Sequence, residues 1–226
     1  MGYKGAVFDL DGVIVDTARF HYLAWRELAE RLGFEFTEEQ NERLKGVSRA
    51  KSLEILLEIG NLSLSEAEKE ELAKQKNRRY REMLEKLTER DILPGAGELL
   101  QELREAGIRT ALGSASKNAP FILERLGLSN SFDVIVDGNA VAKAKPDPEI
   151  FLKAAQGMGL KPEECVVFED SAAGIEAAKR GGMYAVGVGN MENLQGADFV
   201  IIDLEEFRKR MRDGKIISLS QEKNNL

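Results

Sequence analysis

The rhythm of apolar and polar positions divides this chain into three parts. Residues 6–8, Ala6-Val7-Phe8, form a short apolar run that predicts a buried strand. Over 18–32 the pattern turns helical, with Phe20, Leu23, Ala24, Leu28 and Leu32 on one stripe and Gly33 as the stop. Thr37 with Gln40 three residues on has the form of a capping box and predicts a second, short helix. Ser48 caps a third helix running to 59, with Leu53, Leu56 and Leu57 on one face. After a loop at 61–65, a long charged helix is predicted over 66–87. Nothing between 18 and 90 has the rhythm of a strand. Past Ile92 the elements alternate. Strands are predicted at 109–112, 132–136, 165–168, 184–188 and 199–202. Helices are predicted from Pro94-Gly95 to Gly107, then at 117–126, 147–157, 171–180 and 204–211. A polar tail from Gln221 is expected to be loose. Such alternation implies a parallel sheet covered on both faces. The predicted fold is therefore α/β: a doubly wound, mainly parallel-sheet core from 1–16 and 93–226. An all-α domain, 17–92, is inserted into it.

Composition narrows the function classes. At 226 residues, 43% hydrophobic and 31% charged, the chain has the make-up of a soluble globular protein. A net charge of −7 argues against a nucleic-acid partner. No apolar run approaches the roughly 20 residues that cross a membrane, and the N-terminus has no signal-peptide pattern. A cytoplasmic monomer acting on small molecules is the expectation. The single Cys165 lies beside Val166-Val167-Phe168 and is expected to be a small buried residue.

Candidate chemistry gathers where strands end, the usual ligand edge of a doubly wound sheet. Asp9 and Asp11 follow the first strand, and Gly12 allows a sharp turn. If the extended chain persists to Asp11, both carboxylates face one side. Two such charges want a cation between them, and a hard ion such as Mg2+ takes oxygen ligands. One Asp then suits a nucleophile and the other an acid or base. The alternative is a strand end with two solvated acids. Ser114 follows the 109–112 strand; it either holds phosphate oxygens or merely caps a helix. Pro146 holds Lys145 extended. Glu169-Asp170 follow another strand, as metal ligands or as acids at a helix start.

Phe8-Asp9-Leu10-Asp11-Gly12-Val13 resembles the first motif of the haloacid dehalogenase-like (HAD) superfamily of aspartyl-phosphate phosphotransferases. Ser114, Lys145-Pro146 and Glu169-Asp170 resemble its later motifs, in order, so the resemblance covers nearly the whole chain. It implies a Rossmann-like HAD core with a helical cap. It implies attack by Asp9 on a phosphoryl group, with Asp11 as acid/base and Lys145 and Ser114 balancing charge. The implied Mg2+ shell is Asp9, Asp170, the Asp11 carbonyl and Glu169. Many relatives have two Asp at the last motif, so Glu169 departs from the commonest pattern. Dehalogenase members lack the second Asp of the first motif, so Asp11 argues for phosphoryl transfer.

Within the superfamily, several strings resemble a hexose-phosphate mutase branch. They are Asp16-Thr17 with His21 and Trp25, Lys45-Gly46-Val47-Ser48-Arg49 with Ser52, Lys76-Asn77, and Ala115-Ser116-Lys117-Asn118. The resemblance implies interconversion of β-D-glucose 1-phosphate and D-glucose 6-phosphate, with β-glucose 1,6-bisphosphate as primer and intermediate. Thr17, His21 and Trp25 are spaced one helical turn apart and share a face. The resemblance has Thr17 and His21 supporting Asp11, and Lys76 contacting the sugar. Arg49, with Lys117 and Asn118, would hold the phosphate not being transferred. Two rivals remain at this point: a sugar-phosphate phosphatase on the same scaffold, and a binding domain that has kept the fold without the reaction.

Overall fold

The computed structural model describes residues 2–213; the polar tail expected from Gln221 lies outside the described residues. The strands are β1 Gly5–Phe8, β2 Arg109–Gly113, β3 Val134–Val136, β4 Cys165–Glu169, β5 Tyr184–Val188 and β6 Phe199–Ile201. They form one sheet in the order β3-β2-β1-β4-β5-β6, and every neighbouring pair is parallel. The chain winds outward from β1 in one direction and returns to wind outward in the other.

Period-two alternation sorts the strand side chains between two buried clusters. Ala6, Phe8, Leu112, Val166, Phe168 and Val186 face one side. There they meet α5 (Ala96–Glu105), α6 (Ala119–Arg125) and α9 (Leu204–Arg212) through Leu99, Leu103, Ile122 and Phe207. Val7, Ala111, Cys165, Val167 and Ala185 face the other, against α7 (Glu149–Gly157) and α8 (Ala172–Arg180). Phe8 stacks on Phe168 at 4.7 Å, and Phe207 meets Phe168 edge-on at the same separation. These rings lock β1 beside β4 directly beneath the strand ends that matter below. Cys165 is buried, as expected, and burial pushes its thiol up to about 11.

Between β1 and β2 the chain is helical: α1 Ala18–Arg31, α2 Glu38–Asn41, α3 Arg49–Ile59 and α4 Glu66–Leu84. The expected caps form. Thr37 and Gln40 make a reciprocal capping box, and Ser48 Oγ accepts from the Lys51 N–H. Trp25, Leu28, Phe36, Leu53, Leu56 and Leu57 make a third apolar cluster inside this insertion. The C-terminal end of α4 belongs to the core instead, through Tyr80, Met83 and Leu84. The two connecting segments run side by side. Val15 bridges Ile92 in antiparallel fashion, Asp16 N–H donates to Asp91 O, and Leu93 N–H donates to Ile14 O.

β1 stops at Phe8, where the 6–8 run predicts, because the Leu10 carbonyl collects the N–H groups of Val13, Ile14 and Val15 and turns the chain. Several other boundaries differ from expectation. The helix expected over 66–87 ends at Leu84, and the strand expected from 132 begins at Val134. The helix expected from 117 begins at Ala119. Ahead of it, Ser114 Oγ accepts from Ser116 N–H and Ser116 Oγ accepts from Asn118 N–H, which hold that stretch as a turn.

Candidate active site

Asp9, Asp170 and Lys145 converge at the carboxyl ends of β1 and β4. Asp9 N–H donates to the Phe168 carbonyl, so the two strands end in register. Lys145 reaches between them, fully buried: its Nζ is 2.5 Å from Asp9 Oδ1 and 2.8 Å from Glu169 Oε2. The other Glu169 oxygen accepts from the backbone N–H and hydroxyl of Ser171. The Lys145–Pro146 peptide is cis. Gly12 has φ +83°, and a Cβ there would strike the Asp170 carboxylate, so only glycine lets the turn after β1 pass so close.

Asp11 leaves this group. Its carboxylate accepts from Thr17 Oγ1 and from Tyr80 Oη at 3.5 Å, with His21 Nε2 at 3.8 Å. The two Asp side chains therefore do not form the side-by-side pair that an extended chain through Asp11 would give; the turn at Leu10 separates their tasks. His21 Nδ1 meets Lys76 Nζ at 2.9 Å. That ammonium also lies 4.5 Å from the Trp25 ring and 4.7 Å from the Tyr80 ring.

These groups line a single cavity of about 670 Å³. Asp9, Asp11, Lys145 and Asp170 are on its wall, as are His21, Trp25 and Lys76. So are Lys45, Gly46, Val47, Ser48, Arg49 and Ser52 from the insertion, and Ala115, Ser116, Lys117 and Asn118 from the core. Thr17, Ser114 and Glu169 lie behind the wall, each fully buried. Gly46 touches the core: with φ +72°, a Cβ on it would collide with the Ser171 hydroxyl.

The electrostatics divide in two. Burial raises the pKa of Asp9 to about 8; Lys145 opposes this, and Glu169 and Asp11 add to it. Burial also raises Asp11, and it raises Asp170 strongly with Glu169 and Asp9 contributing. Lys145 is held charged despite its burial by the two carboxylates it touches. Asp9, Glu169 and Asp170 around one lysine are more buried carboxylates than one ammonium can balance. Ligand oxygens of Asp9, Glu169 and Asp170 lie within 4.8 Å of one another. An all-oxygen donor set with that excess fits a hard divalent cation such as Mg2+. On the insertion side the imbalance is reversed. Burial and the nearby Arg49 push Lys76 well below the usual lysine range, with Asp11 opposing. Burial, Lys76 and Arg49 keep His21 well below its ordinary value. The cavity thus has an acidic floor and a basic opposite wall.

A protein-family model for haloacid dehalogenase-like hydrolases matches residues 3–182. The chain belongs to the haloacid dehalogenase-like family. Among its relatives, the β-phosphoglucomutase of Bacillus subtilis (strain 168) is 48% identical over 200 residues, covering 88% of each chain. A crystal structure of β-phosphoglucomutase from Clostridium difficile superposes with a TM-score of 0.88 at 42% identity, over 95% of this chain and 99% of that one. A phosphorylated-carbohydrate phosphatase of Thermotoga maritima is 36% identical, over 80% of this chain and 82% of its own. Among the described residues of this family member, no helix is long and apolar enough to cross a membrane.

Sequence reasoning missed some of the cavity wall. Tyr80 lies one turn beyond Lys76 on α4, and that spacing was the available signal. The stretch 138–144 also contributes Gly138, Val141 and Ala142. It has no regular structure and carries no motif, so nothing in the sequence marked it.

Proposed function

We propose that this chain is a Mg2+-dependent β-phosphoglucomutase, converting β-D-glucose 1-phosphate to D-glucose 6-phosphate through an aspartyl-phosphate and β-glucose 1,6-bisphosphate. The observation that carries this is the division of one cavity into an acidic floor and a basic wall. A bisphosphate needs one pole for the phosphoryl group in transfer and another for the phosphate that waits. A monoester phosphatase needs only the first. The similarity to the two β-phosphoglucomutases over most of the chain supports the same choice.

In this mechanism the Asp9 carboxylate attacks phosphorus. An O–P bond forms as the bond to the sugar oxygen breaks, and Asp11 gives its proton to that oxygen. Burial raises the Asp11 pKa, which suits a group that must hold a proton before transfer. Asp11 then takes a proton from the free hydroxyl of a bound hexose monophosphate as that oxygen attacks the phosphorus on Asp9; the Asp9–phosphate bond breaks, and the bisphosphate so formed turns around to present its other phosphate to Asp9. Thr17 and His21 hold Asp11 in place, and Lys145 and Ser114 offset charge at the transferring group. Held by Asp9, Asp170, the Asp11 carbonyl and Glu169, Mg2+ would set positive charge against the phosphoryl oxygens. Arg49, Ser116, Lys117 and Asn118 anchor the second phosphate. Trp25, Lys45, Gly46, Val47, Ser48, Ser52, Lys76 and Ala115 surround the sugar.

Residues 17–92 serve as a cap domain that closes on the core formed by 1–16 and 93–226. Closure excludes water and so favours transfer to sugar. The enzyme acts as a cytoplasmic monomer on hexose phosphates. The test is a product assay with β-D-glucose 1-phosphate, Mg2+ and a trace of the 1,6-bisphosphate. Glucose 6-phosphate is the expected product. Release of glucose and inorganic phosphate as the main products would establish the phosphatase alternative that the Thermotoga relative represents.

A further inference from the structure

Asn118 and Asn77 join the two halves of the cavity. Asn118, 8% exposed, precedes α6 on the core; Asn77 is on α4 of the insertion. Asn118 Nδ2 donates to Asn77 Oδ1 at 3.0 Å, and both residues line the cavity. A side-chain amide has a donor edge and an acceptor edge of nearly the same shape. Turned one way, Asn118 offers N–H to an anion; turned the other, it offers an oxygen, which repels one. Asn77 Oδ1 can accept only from the NH2 end. Accepting one N–H from Asn118 therefore keeps the second N–H of the same group available to the cavity.

We infer that Asn77 is a positioning residue that orients the Asn118 amide toward the second phosphate, and does so only when the insertion is closed on the core. The inference rests on the mutase reading, because it needs a second phosphate to recognise. Backbone hydrogen bonds from Ser116 and Asn118 N–H already fix the main chain of that turn. The amide rotation is what they leave undetermined, and Asn77 supplies it from the other side of the cavity. Lys76, the adjacent residue on α4, meets His21 near Asp11. One turn of α4 thus touches both the group beside the acid/base and the group at the anchor.

The test compares two phosphoryl donors on the full-length enzyme with Mg2+. Acetyl phosphate has no second phosphate; β-glucose 1,6-bisphosphate has one. Asn77→Leu keeps the size of the side chain and removes the acceptor. Its KM for the bisphosphate should rise about tenfold, the scale of one hydrogen bond to a charged group. Phosphorylation of Asp9 by acetyl phosphate and the melting temperature should stay near wild type. In a double-mutant cycle, adding Asn77→Leu to Asn118→Ala should cost little beyond Asn118→Ala alone. An unchanged KM for the bisphosphate overturns the inference. So does an equal loss with both donors accompanied by a lower melting temperature, which would mark Asn77 as merely structural. Additive effects in the cycle overturn it as well. If wild-type enzyme itself releases glucose instead of glucose 6-phosphate, the mutase reading falls and takes this inference with it; if wild type is a mutase and Asn77→Leu matches it, only the inference falls.

Discussion

Lys76→Met should make the protein more stable and much less active. The Lys76 side chain is 3% exposed, and burial with Arg49 nearby pushes its pKa well below 10.5. The surroundings therefore oppose the charge, even after the bond to His21 and the two ring contacts are counted. The penalty has a ceiling. At pH 7 the folded chain can shed the proton for about 5 kcal/mol, at about 1.4 kcal/mol per pH unit below the ordinary lysine value. Methionine keeps most of the volume over Trp25 and Tyr80 and needs no solvation. Replacing a buried charge by an apolar group of similar size is worth about 1–3 kcal/mol in favourable cases. At about 2–4 °C per kcal/mol for a chain of this length, the melting temperature should rise by several degrees. Urea unfolding of both proteins at several pH values reads this directly. The folded lysine has the lower pKa, so its penalty is complete below that value. The penalty shrinks as pH rises toward 10.5, where the unfolded lysine also loses its proton. The stability gap between variant and wild type should therefore narrow with rising pH. Mutase turnover should fall at least tenfold, since the cavity loses a cation. A Lys76→Met protein less stable than wild type by more than about 1 kcal/mol would refute the reasoning, because a typical hydrogen bond is worth no more than that.

Asp9→Asn should abolish phosphoenzyme formation, measured by mass spectrometry after acetyl phosphate treatment. Asp11→Asn should keep Mg2+ binding and the fold but lose turnover by a hundredfold or more, about the scale of general acid catalysis; wild-type turnover in either variant contradicts the roles given to them. Mg2+ should raise the melting temperature of wild type and leave Asp170→Ala nearly unmoved, as read by thermal shift with and without chelator. Gly46→Val should clash with Ser171 and hold the insertion away from the core; small-angle scattering with a phosphate mimic should then show no compaction, whereas wild type contracts. Glu102 pairs with Arg208 and Arg212 and ties α9 to α5, and these arginines hold it down at about pKa 2. Glu102→Gln should cost about 1 kcal/mol above pH 4.5, and the difference should vanish as pH falls toward 2; an equal loss at every pH would show that charge is not the cause.

Much of this was legible in the sequence for identifiable reasons. The β1 run and the alternation past Ile92 specified a parallel sheet, because strands covered on both faces carry short continuous apolar runs. The caps at Thr37 and Ser48 were readable because each motif satisfies its own backbone within four residues. Asp9 and Asp170 were recoverable because they follow strands whose ends share one edge, and Lys145 because of the proline after it. The direction of the Asp11 side chain was not. It depends on Leu10 accepting three N–H groups and on Tyr80, which is distant in sequence. Whatever depended on contacts within a few residues could be read; whatever depended on which distant side chain arrives could not.

The paired segments that lead into and out of the insertion bear on how the sheet forms. Phe8 and Leu112 are neighbours across β1 and β2, yet the whole insertion separates them along the chain. Closing so long a loop is slow. The contacts of α1–α4 are more local, and once they form, the bridge between Val15 and Ile92 joins their two ends. The remaining loop then shrinks from about a hundred residues to about thirty, a saving of about 1 kcal/mol in closure entropy and nearly tenfold in rate. The helical segment would thus act as a folding scaffold for the strands that flank it. Pulse-labelled hydrogen exchange during refolding should find α1 and α4 amides protected before those of β1 and β2, and the opposite order would rule this out.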